Sequence, residues 1–185
     1  YLMSEVRNLE TQIVWNHFED LNAVPRPSKK EEAVVAWIMK FGESLGLETV
    51  CDHCVAPGLG NVVIKKPATA GMEDKPTVVL QSHLDMVHQK NNDTDFDFAT
   101  QGIQSYIDGD WVKAKGTTLG ADNGMGVAGT MAVLSSTNIK HPAIEALFTI
   151  DEETGMTGAI NIDNSKLGIT ASIMLNLDTE DDDEL

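Results

Sequence analysis

The chain holds no apolar run approaching the roughly 20 residues that a membrane-spanning helix needs, and no basic segment followed by an apolar one opens it. Neither a membrane helix nor a signal peptide is supported, which leaves the cytoplasm as the expected setting. Basic residues are scarce, 13 Lys and Arg against 29 Asp and Glu, for a formal net charge of −16. Nucleic acid is excluded as a partner, because phosphate binding needs clustered cations; an acidic surface of this kind serves solubility. Cysteine is almost missing. Cys51 and Cys54 stand in C-D-H-C around His53, and no second C-x-x-C or H-x-x-x-H follows, so a structural zinc is left with half its ligands. The pair reads as ordinary strand and loop thiols. Internal repeats and low-complexity segments are also absent.

What remains is a chain of 185 residues with 42% hydrophobic content, enough for one globular domain with a real core. Ile13, Val14, Phe18 and Leu21 fall at helical spacing within residues 11–21. Pro25 and Pro27 then break the chain. Ser28 and Glu31 match a capping box for a second helix carrying Ala33, Val34, Trp37, Ile38, Phe41 and Leu45 and ending at Gly46. Strands are predicted at 47–51, 61–65, 78–82, 143–150 and 172–177, with a hairpin formed by 103–107 and 111–115 around D-G-D. Small residues with Val127, Met131 and Leu134 mark a closely packed helix after the glycine-rich G-T-T-L-G-A-D-N-G. Strands alternating with helices predict an α/β fold: a mixed, mostly parallel sheet with helices on both faces.

Three predicted strands end in groups able to bind a cation. His83 and Asp85 follow V-V-L-Q-S, Glu152 and Glu153 follow A-L-F-T-I-D, and Asp178 follows I-M-L-N-L. Asp122 opens the helix after the glycine-rich loop. The carboxyl ends of parallel strands converge on one sheet edge, so these residues are expected to share a pocket. One imidazole with several carboxylates suits a hydrolytic divalent-metal site better than a structural one. The surplus of acids favours two metals, which need a bridging carboxylate and a separate general base, and the Glu152-Glu153 pair offers one of each.

The run S-H-L-D-M-V, T-T-L-G-A-D-N-G, D-E-E-T-G-M and N-L-D-T-E resembles the M20 family of di-zinc aminopeptidases and deacylases. The wording K-P-A-T-A-G-M, H-Q-K-N-N-D-T and Y-I-D-G-D-W-V-K-A-K-G resembles its aminoacyl-histidine dipeptidase branch (Xaa-His dipeptidase, peptidase D), from about Pro25 onward. The resemblance implies that His83 and Asp178 hold one zinc, Glu153 the other, and Asp122 bridges them. Asp85 would orient His83 and Glu152 would act as general base, with a cis peptide at Asp122-Asn123. The implied reaction is hydrolysis of Xaa-His dipeptides, carnosine-like β-alanyl substrates included, by a water bridging two zinc ions; manganese or cobalt are possible substitutes.

In that family a further histidine completes the second zinc site, and a lid and dimerisation domain is inserted after the region of Asp178. The chain is therefore expected to be an N-terminal portion of the catalytic domain, inactive alone, with the full-length protein a homodimer through the lid. The abrupt ending D-T-E-D-D-D-E-L agrees. Other M20 activities, tripeptide cleavage or deacylation of N-acyl amino acids, share the metal motifs and are the nearest alternative. A calcium loop in the terminal acids is the non-enzyme alternative, disfavoured because no glycine or flanking helix is placed for an EF-hand. His17, His88 and His141 read as solvated, and Met72, Met86, Met125 and Met131 as packing residues.

Overall fold

The computed structural model describes residues 4–179; of the segment 178–184 on which the calcium-loop alternative rests, residues 180–184 lie outside the described residues. After a single 3-10 turn, helix α1 (Gln12–Asn22) and helix α2 (Glu32–Ser44) lead into strands β1 (Glu48–Cys51), β2 (Val62–Lys66) and β3 (Val78–His83). A hairpin of β4 (Ser105–Asp108) and β5 (Trp111–Ala114) precedes helix α3 (Ala121–Ser135) and strand β6 (Ile144–Thr149). Two single-turn helices, α4 (Thr157–Ile160) and α5 (Asn164–Leu167), precede the last strand, β7 (Ile173–Asn176). These two were not anticipated, since four residues are too few to show a helical period.

The main sheet has the order β1-β2-β6-β3-β7. β3 pairs in parallel with both β6 and β7, whereas β2 runs antiparallel to β1 and β6, so β2 alone opposes the common direction. This is the expected mixed, mostly parallel sheet. Its central strands β2, β3 and β6 are apolar on most consecutive residues because each face buries one set of alternating side chains. Val62, Ile64, Ala146 and Phe148 enter the larger core with Leu21, Val34, Val35, Ile38, Val127 and Met131 of α1, α2 and α3. Val63, Val79 and Leu147 enter a smaller core on the opposite face, closed by Leu167 of α5.

Two local details fix how the helices lie. A Cβ at Gly42 would collide with the Thr49 hydroxyl and stand 2.9 Å from Ile64, so only glycine lets α2 sit this close to β1 and β2. At the far end of α3, Lys66 Nζ donates to the carbonyls of Val133, Leu134 and Ser136 at 2.6 to 2.9 Å, serving acceptors that the helix leaves unpaired.

Several local expectations are corrected. The capping box is absent: α2 begins at Glu32 and no side chain caps it, while the Ser28 hydroxyl donates to Asp85 Oδ2 at 2.8 Å and to the Met86 carbonyl at 3.2 Å. A buried carboxylate is a stronger acceptor for that hydroxyl than a peptide group can offer as donor. His141 is buried, its Nδ1 2.8 Å from the Pro142 carbonyl, and His17 is half-buried against Phe41 with Nε2 3.1 Å from Ser135 Oγ. His88 is exposed, Met86 and Met131 are core residues, and both cysteines are free thiols.

Candidate metal centre

The parallel register brings the expected groups together. His83 pairs with Thr149, and Gln81 with Asn176, so the chain leaving β6 and the chain leaving β7 emerge on either side of His83. The ladder continues past the strands: the Leu84 amide donates to the Thr149 carbonyl and the Leu177 amide to the Gln81 carbonyl, both at 2.9 Å. Asp122 arrives from another direction. The Asp122-Asn123 peptide is cis, as the resemblance implied, and both residues have non-helical backbone angles at the kinked start of α3.

His83 is fully buried and forms the floor of the cluster. Its Nδ1 stands 3.0 Å from the Asp85 carbonyl and 3.3 Å from Asp85 Oδ1. Its Nε2 stands 3.1 Å from Asp122 Oδ1, 3.6 Å from Asp178 Oδ2 and 3.9 Å from Glu152 Oε2. The side chains of Asp122, Glu152 and Asp178 are 59%, 34% and 24% exposed, so the floor is closed and the rim of acids is open to an incoming ligand. Glu153 stands apart, its Oε1 3.4 Å from the Val87 amide, yet near enough to Asp122 to feel its charge.

Asp85 binds the segments to one another and is itself fully buried. Its Oδ1 accepts from the Glu152 amide at 3.0 Å, and its Oδ2 from Ser28 Oγ at 2.8 Å and the Glu153 amide at 3.3 Å. Burial pushes this carboxyl up, but the hydrogen bonds from His83, the Glu152 amide and Ser28 outweigh it and hold the group below the usual range. Asn123 ties the remaining segments: its Oδ1 accepts from the His83 amide at 3.3 Å, and its Nδ2 donates to the Leu177 carbonyl at 2.7 Å and Asp178 Oδ1 at 3.1 Å.

The cluster is short of positive charge. Burial and the charge of Asp122 raise the Glu153 carboxyl. Asp178 is raised too, by burial and then by Asp122 and Glu152, against the opposing pull of His83. Burial lowers His83, but the Asp85 hydrogen bond, the charges of Asp85 and Asp178 and the Asp122 hydrogen bond carry it up to about 9. One imidazole nitrogen facing converging carboxylates, in a cluster that holds Asp178 and Glu153 above their ordinary range, is a donor set that fits a divalent cation. Among the described residues, His83, Asp122 and Asp178 can each offer a donor atom within 4.8 Å of the others. Glu31, Asp85 and Asp151 do the same but are wholly buried, and Asp151 is already engaged by the hydroxyls of Thr154 and Thr157.

Four residues of this architecture escaped the sequence reading. By sequence Ser28 and Glu31 fit a helix cap, Asn123 stands out only for the cis peptide that the resemblance implies after Asp122, and Arg26 lies between two chain-breaking prolines. Arg26 is only 1% exposed and is one of just two arginines in the chain. A buried guanidinium is rare enough that the proline-flanked position was the available signal.

A model of peptidase family M28 matches residues 61–183. The cytosol non-specific dipeptidase of Escherichia coli is 46% identical over 183 residues, covering 99% of this chain and 36% of that protein. The crystal structure of aminoacylhistidine dipeptidase from Vibrio alginolyticus superimposes with a TM-score of 0.89 at 50% identity, covering 96% of this chain and 35% of that one. A tripeptidase from Staphylococcus aureus superimposes with a TM-score of 0.76 at 25% identity, covering 94% of this chain and 45% of that one. The chain thus spans about a third of the length of these two dipeptidases. The family number differs from the M20 of the sequence resemblance, while the dipeptidase names agree with the branch the motifs pointed to. Among the described residues no helix is long and apolar enough to cross a membrane.

Proposed function

The chain belongs to peptidase family M28, and from that premise we propose that it contributes most of the metal site of a di-zinc dipeptidase acting on Xaa-His dipeptides, carnosine-like ones included. The observation that carries the reading is the convergence of Asp122, Asp178 and Glu152 on His83 Nε2 within 3.9 Å, at the mouth of three chain segments. The names of the Escherichia coli and Vibrio alginolyticus relatives support dipeptide substrates.

In this reading His83 and Asp178 would hold one zinc, Glu153 the other, and Asp122 would serve both. Cations held by these donors would acidify a water molecule and polarise the scissile carbonyl. Asp85, below the imidazole, keeps the proton on Nδ1 and turns Nε2 toward the acids. Glu152, on the partly open rim, accepts the proton of the attacking water on a carboxylate oxygen and returns it to the departing amine nitrogen. The amide of Glu152, held by Asp85 Oδ1, limits how far its carboxylate can swing. Manganese or cobalt suit the same carboxylate-rich set. The complete protein is read as a cytoplasmic homodimer whose lid and second-zinc histidine lie outside these 185 residues, so the segment alone turns over little or no substrate.

Anomalous scattering at the zinc edge tests site, metal and count together, with two peaks expected beside His83. No peak there, or peaks elsewhere, refutes the assignment. The tripeptidase from Staphylococcus aureus gives the second reading its support. Rates of the complete protein on carnosine, a tripeptide and an N-acyl amino acid, compared side by side, decide between the substrate classes.

A further inference from the structure

Arg26 reaches two of the segments that carry the proposed cation donors without touching the donors themselves. Its Nη1 donates to the Leu84 carbonyl at 3.2 Å and the Asp85 carbonyl at 3.4 Å, in the turn that follows His83. Its Nη2 donates to the Gly120 carbonyl at 2.6 Å, in the turn that delivers Asp122, and to Asn22 Oδ1 of α1 at 3.2 Å. All four acceptors are neutral oxygens, so the guanidinium is engaged as a rigid fork and not as half of an ion pair. The Asp85 carbonyl it holds is the same oxygen that faces His83 Nδ1 at 3.0 Å.

The surrounding backbone is shaped to this group. A Cβ on Gly120, whose φ is +73°, would collide with Nη2, and a Cβ on Gly124 would stand 2.8 Å from it. Glycines on both sides of Asp122 therefore leave the space that the guanidinium fills. Burial pulls Arg26 down to about 10, with the charges of Asp85, Asp122 and Glu153 opposing the fall, so the group stays cationic at neutral pH.

We propose that Arg26 is a positioning residue of the metal centre: by clamping the Leu84 and Asp85 carbonyls to Gly120, it sets the spacing of His83 Nε2 and Asp122 and holds the imidazole with Nε2 toward the acids. The proposal rests on reading His83 and Asp122 as cation donors. An arginine with a merely structural role lowers stability when replaced and leaves the bound cation undisturbed. A positioning role predicts a change in the cation site itself.

The test uses the complete protein, stripped of metal and titrated with Co2+ by calorimetry and visible absorption, for wild type, Arg26→Lys and Asn22→Ala. Lysine presents one point charge and cannot bridge both turns. Arg26→Lys is expected to weaken Co2+ binding about 10- to 100-fold, the range for loss of an outer partner of a ligand, and to alter the absorption band of the bound ion. Asn22→Ala removes one acceptor of the guanidinium on the side away from the donors, and shifts affinity in the same direction by a few-fold. Folded variants that bind Co2+ with wild-type affinity and spectrum overturn the proposal, whatever happens to their denaturation midpoints. If Arg26→Lys does not fold, Asn22→Ala decides alone. A wild-type protein that binds no Co2+ overturns the cation reading itself, a different outcome from equal binding by all three.

Discussion

Replacing Asp85 with asparagine changes one atom in a position where four donors meet. Oδ1 faces the Glu152 amide and His83 Nδ1, and Oδ2 faces Ser28 Oγ and the Glu153 amide. An amide NH2 placed at Oδ1 opposes two N–H groups that cannot turn away. Placed at Oδ2 it opposes one, because the Ser28 hydroxyl can rotate to accept from it and still donate to the Met86 carbonyl at 3.2 Å. The second orientation is the cheaper, and its irreducible cost is one orphaned Glu153 amide. Leaving a buried donor unpaired costs about 1–3 kcal/mol, and loss of the carboxylate charge weakens the surviving bonds further. Urea unfolding of the metal-free protein is therefore expected to show Asp85→Asn less stable by about 2–3 kcal/mol. Ser28 should be coupled to the change, since it reverses its role: Ser28→Ala should carry a different cost in the asparagine background than in wild type. His83 keeps the Asp85 backbone carbonyl as its Nδ1 partner, so cation affinity should fall by about tenfold and not vanish. An Asp85→Asn protein within about 0.5 kcal/mol of wild type, with no coupling to Ser28, refutes this account of the network.

Two glycines of α3 should respond in opposite directions: a Cβ at Gly129 meets nothing within 4 Å, whereas one at Gly126 stands 2.6 Å from Asn123 Oδ1 and 2.9 Å from the Leu177 carbonyl. Gly129→Ala is expected to stabilise by about 0.5–1 kcal/mol and Gly126→Ala to destabilise by about 1–3 kcal/mol, both read from urea midpoints. Leu167→Ala, at the fully buried closure of the smaller core, should cost about 2–5 kcal/mol in the same assay, and a smaller loss means α5 does not seal that face. Burial raises the Glu31 carboxyl to about 7, so the folded chain keeps a proton that the unfolded chain releases. Stability from this group is full at low pH and is lost as pH rises through about 7, and Glu31→Gln should gain on wild type between pH 5 and pH 8. A pH-independent difference between the two proteins would contradict that assignment.

The central strands were legible because packing against both faces of the sheet leaves consecutive apolar residues in the sequence, as at Val78 to Leu80 and Ala146 to Phe148. His83, Asp122, Glu152 and Asp178 were legible by type and by position at element ends. What could not be read was the layer beneath them. Ser28 and Glu31 obey a local capping rule, and a local rule cannot see a buried carboxylate more than fifty residues away. Arg26 and Asn123 bond mostly to backbone groups, and such partners leave no mark in side-chain identity. His141 looked solvated because a loop before proline usually is, whereas here it packs beside the Thr69 backbone, whose amide donates to its carbonyl at 3.0 Å.

The position of β3 in the sheet has a consequence for how the site comes into being. Both of its hydrogen-bonded neighbours, β6 and β7, are later in the chain. At a synthesis rate of about 5–20 residues per second, His83 leaves the ribosome roughly 5–20 s before Asp178, about 95 positions on. Until β6 emerges the V-V-L-Q-S-H segment has neither ladder partner, and until β7 follows one of its edges stays open; an unpaired apolar strand is a template for pairing with other chains. The nascent protein thus carries an open apolar edge and its future imidazole donor on one strand, and both edges of that strand are secured only once β7 has followed β6.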